Sequence, residues 1–498
     1  MKTGMTRKIL RIGTVILILV LVFGALYSYI GKQNFIRTTL SGLTLGSLLF
    51  MVAAGLSLIF GLMDVLNFAH GAMFMLGAYI GWQMYTNPTF IFGLAPILLA
   101  FGAGVTLLGV IKPWLISLNL SLAWQKNLPR FLYLLALLVG LAGLLHLDIL
   151  GMAKTAMVAA TVTNAGNPLA EISPQEPLAQ FWFRPLMLFL SGLFIAAASA
   201  KPGNKTEFVA KEDHGKVLLL PLLLFGLTVI FTLIRESGPV AVLLMNGNLR
   251  FVLSIAAAVL FGLIFGLIIE IAMIRPLYVR PFFIVLMTLG LSFVIRELVQ
   301  LLWDPLAYQM VRPPLFAAPG KAASIAEWLQ KGSSTIDIAG VTFPTYRIFV
   351  IALGIVMFIA LMIIMTKTRL GMIIRAGVQD PQMVEALGIN VKRVFTIVFA
   401  MGVAMAALGG IGSAPILPVQ PLMGDQFQMQ GFISVVIGGM GSYGGAFVGA
   451  MILGMARAVG DYLALKLSLS PAIAEASTVI IMIIVLLLKP NGLFGKKD

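Results

Sequence analysis

The chain reads as a succession of apolar runs separated by short polar connections. A helix that crosses a bilayer needs about 20 largely apolar residues. Runs of that kind recur near 12–30, 40–62, 67–85, 90–111, 131–149, 185–200, 217–234, 251–274, 282–302, 347–366, 394–412 and 471–488. A further apolar stretch, 430–460, is broken by Gly438-Gly439-Met440-Gly441-Ser442-Tyr443-Gly444-Gly445. The pattern predicts an all-α fold, a polytopic transmembrane helical bundle with discontinuous or re-entrant segments.

Composition excludes the soluble alternatives. Of 498 residues 60% are hydrophobic and 11% charged, against roughly 25% charged in soluble domains. With no cysteine there is no disulfide, thiol nucleophile or zinc-thiolate site. The three histidines, His70, His146 and His214, are too scattered for a metal cluster. No phosphate-binding loop occurs, since the strings around Gly215-Lys216 and Gly320-Lys321 lack its Ser/Thr and its spacing. The chain is therefore expected to carry no ATPase motif of its own and no cofactor. The formal charge of +15 sits in short loops, the signature of orientation in a membrane and not of nucleic-acid binding.

The basic residues assign the sides. Arg7, Lys8 and Arg11, the loop 201–216, Arg275 and Arg280, the loop from Lys367 to Arg393, and the tail from Lys489 all fall in the cytoplasm if the spans alternate. The connection 303–346 then lies outside. Alternation survives to the basic tail only if 430–460 enters, turns at the glycines and returns; this places Ser442 and Tyr443 at membrane depth and Asp461 outside. The first span, 1–32, reads as an uncleaved anchor.

Two motifs carry candidate chemistry. In Gly61-Leu62-Met63-Asp64-Val65-Leu66-Asn67-Phe68-Ala69-His70-Gly71, the residues Asp64, Asn67 and His70 recur every third position. On a helix they would form one polar stripe, either lining a translocation path or capping a helix start. The broken stretch adds Gly439, Gly441, Ser442 and Tyr443 as path candidates. In the loop 367–393, Asp380 is a good N-cap, Pro381 a good first helical residue and Gly388 a good C′ residue. They frame a helix of about two turns with Val384 and Leu387 on one face, too short to be stable undocked. Three glycine pairs, Gly42/Gly46, Gly77/Gly81 and Gly445/Gly449, have the spacing for close helix contact.

Several strings, in order, resemble the permease subunits of branched-chain amino acid ABC importers. They are Ser41-Gly42-Leu43-Thr44-Leu45-Gly46-Ser47, Asn67-Phe68-Ala69-His70-Gly71, Ile274-Arg275-Pro276-Leu277, Thr288-Leu289-Gly290-Leu291-Ser292, Ala386-Leu387-Gly388-Ile389-Asn390, Gly438–Ala446 and Lys489–Gly495. The second and third favour the LivH-type subunit over its LivM-type partner. The resemblance covers 33–85 and 250–498, the two parts of a permease core, and leaves 86–249 as an inserted segment with about four spans. It implies that Asp380, Pro381, Glu385, Ala386, Leu387, Gly388 and Ile389 couple to an ATPase. The implied partners are a LivM-like second permease subunit, two ABC ATPase subunits, an extracytoplasmic substrate-binding protein and membrane lipids. The implied location is the bacterial inner membrane, with branched-chain amino acids, urea or short amides as substrates. The alternative is an autonomous secondary transporter or channel, with Asp64 and His70 relaying protons. A membrane-embedded enzyme lacks any supporting motif.

Overall fold

A computed structural model describes residues 27–63, 65–118, 121–162, 178–200, 214–278, 280–470 and 472–495. Asp64, most of the first apolar run and the whole of the loops 163–177 and 201–213 lie outside the described residues. In chain order the main helices are α1 (Lys32–Met63), α2 (His70–Thr86), α3 (Thr89–Thr106), α4 (Leu108–Ile116), α5 (Leu122–Leu144) and α6 (Ile149–Val162). There follow α7 (Phe183–Ser199), α8 (His214–Leu233), α9 (Ser237–Leu244), α10 (Gly247–Ile269), α11 (Pro281–Trp303) and α12 (Thr345–Lys367). The last are α13 (Arg369–Gln379), α14 (Pro381–Ala386), α15 (Val391–Ser413), α16 (Met423–Gly438), α17 (Tyr443–Lys466) and α18 (Ala472–Leu488). Among the described residues eight helices are long and apolar enough to cross a membrane. The chain is a multi-pass membrane protein of the all-α class.

The described chain divides into two compact units. The first comprises residues 1–81, 255–299 and 306–498. Its axis is α1, of whose most apolar window 83% is buried, followed by α15 with 72%. Helices α10, α11 and α12 bury only 22–28% of theirs, as helices that face lipid do. Small residues allow the inner helices to touch. A Cβ on Gly46 would lie 3.0 Å from the Ala450 carbonyl oxygen and from the Met451 Cα, and one on Gly42 would lie 2.9 Å from the Met455 Cα. All three glycine pairs picked out by spacing sit at helix contacts: Gly77 and Gly81 meet Ala407 and Ile411, and Gly445 and Gly449 meet Gly438 and Ser434. Aromatic rings fill the gaps between, with Phe358 stacked on Phe447 at 4.3 Å and Phe50 edge-on to both.

The connection before α12 holds the structure's only described sheet, three short strands: β1 (Lys321–Ala322), β2 (Thr335–Ile338) and β3 (Val341–Pro344). A short helix, Ile325–Lys331, starts at Ser324, whose hydroxyl accepts the Glu327 N–H at 3.2 Å. The Ala323 N–H and the Lys331 ammonium hold the Glu327 carboxyl below the usual carboxylate range.

The second unit comprises residues 82–254 and 300–305. In it α3 and α7 meet through Gly104 and Gly192, and the Ser191 hydroxyl donates to the Ala136 carbonyl of α5 at 2.8 Å. The apolar run read as 131–149 is corrected here. Helix α5 begins earlier, at Leu122, and ends at Leu144, because the chain turns at His146 with φ 58°. The Asp148 carboxylate then accepts the Gly151 N–H at 2.7 Å and α6, a separate helix, begins. Helices α8 and α9 are bent by 78° at their junction.

Candidate functional site

The first motif does not form the helical stripe its spacing suggests. Helix α1 ends at Met63, residues 65–67 are not helical, and α2 begins only at His70. Asn67 and His70 therefore lie on a break and not on one helix face. Asp64 falls outside the described residues. The break runs inside the first unit: Asn67 and His70 are 3% and 0% exposed. A Cβ on Gly55 would lie 2.5 Å from the Gly402 carbonyl oxygen and 2.6 Å from His70 Nε2. Gly55 is just over two turns in from the end of α1, and Gly402 is at the midpoint of α15, so α2 starts at mid-depth.

Irregular backbone in such a place needs its polar groups satisfied by protein, and four bonds do this. The Asn67 Oδ1 accepts the Ala69 N–H at 3.0 Å, and the Thr288 hydroxyl accepts the Phe68 N–H at 3.2 Å. From α16, Gln428 Oε1 accepts the Gly71 N–H at 2.5 Å while Gln428 Nε2 donates to the Asn67 carbonyl at 3.3 Å. Gln428 thus caps a helix 357 residues away, and sequence reading missed it because no local signal marks it. Neither His70 ring nitrogen nor Asn67 Nδ2 has a well-formed hydrogen bond; the imidazole makes a loose approach to the Val52 backbone. Helix α16 also starts here, with Gly424 against Gly71 and Phe427 stacked on Phe74 at 4.3 Å. Two helix N-termini, each with positive partial charge, meet inside the unit.

The second group of path candidates lies elsewhere. Gly439 and Gly441 have φ 100° and 77°, the left-handed region open to glycine, and they turn the chain between α16 and α17. The Ser442 hydroxyl accepts the Gly445 N–H at 3.1 Å and caps α17. Gly439 packs on Gly492 and Gly495 of the tail, Gly441 on Gly61, and Tyr443 lies near Arg375. The turn is therefore level with the ends of α1 and α18. This corrects its expected place at mid-depth: the pair runs through the unit to the end where Arg369–Asn390 sits, and the broken part is the start of α16. The structure thus brings the glycine turn near the loop 367–393, and leaves Asn67 and His70 apart from it, in the interior.

Around α14 local chemistry behaves as its residue types dictate. The Asp380 carboxylate accepts the Met383 N–H at 3.0 Å, with Pro381 as first helical residue. Gly388 has φ 81°; its N–H donates to the Glu385 carbonyl at 2.9 Å and the Ile389 N–H to the Val384 carbonyl at 3.3 Å. That pair is a Schellman closure. The shared Val384/Leu387 face is corrected: Val384 is 4% exposed and Leu387 74%. Leu387 joins Met383, 64% exposed, as an uncovered apolar pair one turn apart, beside exposed Glu385 and Ala386.

At the opposite end of the first unit lies a cavity of about 490 Å³ lined by Arg37, Arg347, Arg457, Asp461, Gln426 and Gln430 together with apolar side chains. No sequence motif announces it. Among the described residues no group of His, Asp and Glu is placed to hold a metal ion.

A family described as the permease component of the branched-chain amino acid transport system matches residues 220–488. That is more than half of the chain, and the chain belongs to this family. It is 32% identical over 173 residues to the high-affinity branched-chain amino acid transport system permease protein LivH of Salmonella typhimurium, covering 34% of this chain and 54% of that one. It is 35% identical over 141 residues to the LivH protein of Escherichia coli K12, covering 28% and 44%. With the BraD permease protein of Pseudomonas aeruginosa it shares 27% identity over 291 residues, covering 57% and 85%. The chain spans about half the length of the LivH relatives it matches. No solved structure matches it.

Proposed function

We propose that the chain is the membrane-spanning permease subunit of a binding-protein-dependent ABC importer in the bacterial inner membrane, passing branched-chain amino acids or a related small polar solute. It would work with a second, LivM-like permease subunit, two ABC ATPases and an extracytoplasmic binding protein. Residues 33–85 and 250–498 form the permease core in this reading, 86–249 is an insertion, and the family match that begins at 220 reaches into that segment. The observation that carries the proposal is α14. It is six residues long, capped at both ends, and exposes Met383 and Leu387 at the end of the unit where Lys367, Arg369, Lys392 and Arg393 gather. So short a helix gains most of its stability by packing, and its uncovered face fits a groove on an ATPase. Nucleotide-driven closure of two ATPases would move α14, and the helices joined to it would exchange inward- and outward-facing states.

The test is co-purification of nucleotide-binding subunits with the tagged chain. Leu387→Asp is expected to abolish it while the chain stays folded. Gly388→Val, which forces a β-branched residue into the left-handed region, is expected to leave ATP hydrolysis and lose uptake in proteoliposomes. Uptake that follows a pH gradient without any ATPase present would overturn the proposal in favour of a secondary transporter.

A further inference from the structure

Three guanidinium groups and one carboxylate line the cavity at the end of the first unit opposite α14. Arg457 is already engaged, 3.4 Å from Asp461 and 3.6 Å from Glu475. Arg347 is half-buried and, among the described residues, donates only to a neutral group, the Ser41 hydroxyl, at 3.2 Å. A charged neighbour, Arg312, is cationic too. Arg37 is exposed and forms no ion pair among the described residues. Arg37 and Arg347 thus face one cavity with no ion pair among the described residues, the one carboxylate that lines it, Asp461, being paired with Arg457. Clustered like charges are unfavourable unless an anion joins them, and arginine's planar fork suits a carboxylate.

The rest of the lining narrows the ligand. Leu45, Leu48, Ile416, Leu417 and Leu465 form an apolar wall, with Phe427 among them. The volume is in the range of small-molecule sites. An apolar wall facing a cationic one fits a solute with an aliphatic body and one carboxylate. Phe427 also stacks on Phe74, four residues into α2, and Gln428 is the next residue along. Whatever fills the cavity therefore rests on the helix that holds the break at Asn67–Gly71.

We propose that this cavity is a carboxylate subsite, with Arg347 as the central anion-binding group and Arg37 assisting, for a small aliphatic carboxylate approaching the break. This deepens the transport reading and rests on it. The measurement is equilibrium binding of radiolabelled L-leucine to the purified full-length chain, with competition by 4-methylpentanoate, which keeps the carboxylate, and by L-leucinamide, which lacks it. Leucine and 4-methylpentanoate are expected to compete, and leucinamide to fail. Arg347→Gln is expected to weaken binding at least tenfold, and Arg347→Lys to fall between, keeping the charge and losing the fork. Both variants should unfold at the wild-type midpoint and retain any co-purifying ATPase. Loss of those ATPases from the wild-type chain counts against the importer, whereas equal binding of leucine by wild type and Arg347→Gln, or none by either, overturns the subsite alone. Retention of phosphatidylglycerol in native mass spectra, lost in Arg347→Gln and not displaced by leucine, would identify a lipid headgroup site and also overturn it.

Discussion

Gln428 holds Gly71 in place: one side-chain amide accepts the first free N–H of α2 and donates to the Asn67 carbonyl just before it. A single residue on α16 thus satisfies both sides of a chain break in the interior of a membrane protein. Gln428→Leu is expected to leave the Gly71 N–H unpaired, at about 1–3 kcal/mol, because the Asn67 carbonyl still accepts the His70 N–H at 3.4 Å. Gln428→Glu retains the acceptor and should lose less. The unfolding midpoint in detergent reads both, and a Leu variant as stable as wild type would show that water fills the role.

The buried Glu270 carboxylate, 0% exposed, receives Arg275 Nη2 at 2.9 Å and the Tyr278 hydroxyl, while the same Nη2 reaches the Thr396 hydroxyl of α15 at 2.5 Å. Glu270 opens a five-residue π-turn, Glu270–Ile274, at the end of α10. Arg275→Met is expected to destabilise by about 3 kcal/mol, the lower end for a buried pair because Arg275 is a third exposed. Adding Glu270→Gln should recover most of that loss. If the double variant is no better than the single, the pair does not act as a unit.

Gly81 packs on the Ile411 side chain, whereas Gly77 packs on the backbone of Ala407. A double-mutant cycle separates the two. Gly81→Ala combined with Ile411→Ala is expected to cost less than the sum of the single changes, since a movable side chain is the obstacle. Gly77→Ala should disrupt assembly with no rescue from Ala407→Gly, whose backbone still occupies the space.

Sidedness is directly accessible because the chain lacks cysteine. Met440, 50% exposed in the glycine turn, and Asp461, near the other end of α17, lie at opposite ends of the first unit. Met440→Cys is expected to react with an impermeant thiol reagent only from the cytoplasmic side, and Asp461→Cys only from the outside. Reaction of both from one side would mean that α16 and α17 do not traverse the membrane.

What was legible in the sequence is what depends on neighbours along the chain. Apolar runs marked most long helices, since burial of 20-odd consecutive apolar residues needs no knowledge of what covers them. Asp380, Pro381 and Gly388 announced α14 and its ends because caps act over three or four residues. The glycines at 438–445 announced a turn because positive φ is a local demand. The break before α2 was only partly legible: the apolar runs 40–62 and 67–85 part there and a helix start at Asp64 or Asn67 was one reading, but the three-residue spacing equally suggested one continuous helical stripe. That stop is decided by Thr288 and Gln428, more than 200 residues on, which supply the hydrogen bonds a helix would otherwise make for itself. The arginines of the cavity come from α1, α12 and α17, so only packing of those helices could gather them. Leu387 and Val384 show the same division, since the helix was set by its caps and the exposed face by what α14 happens to lie against.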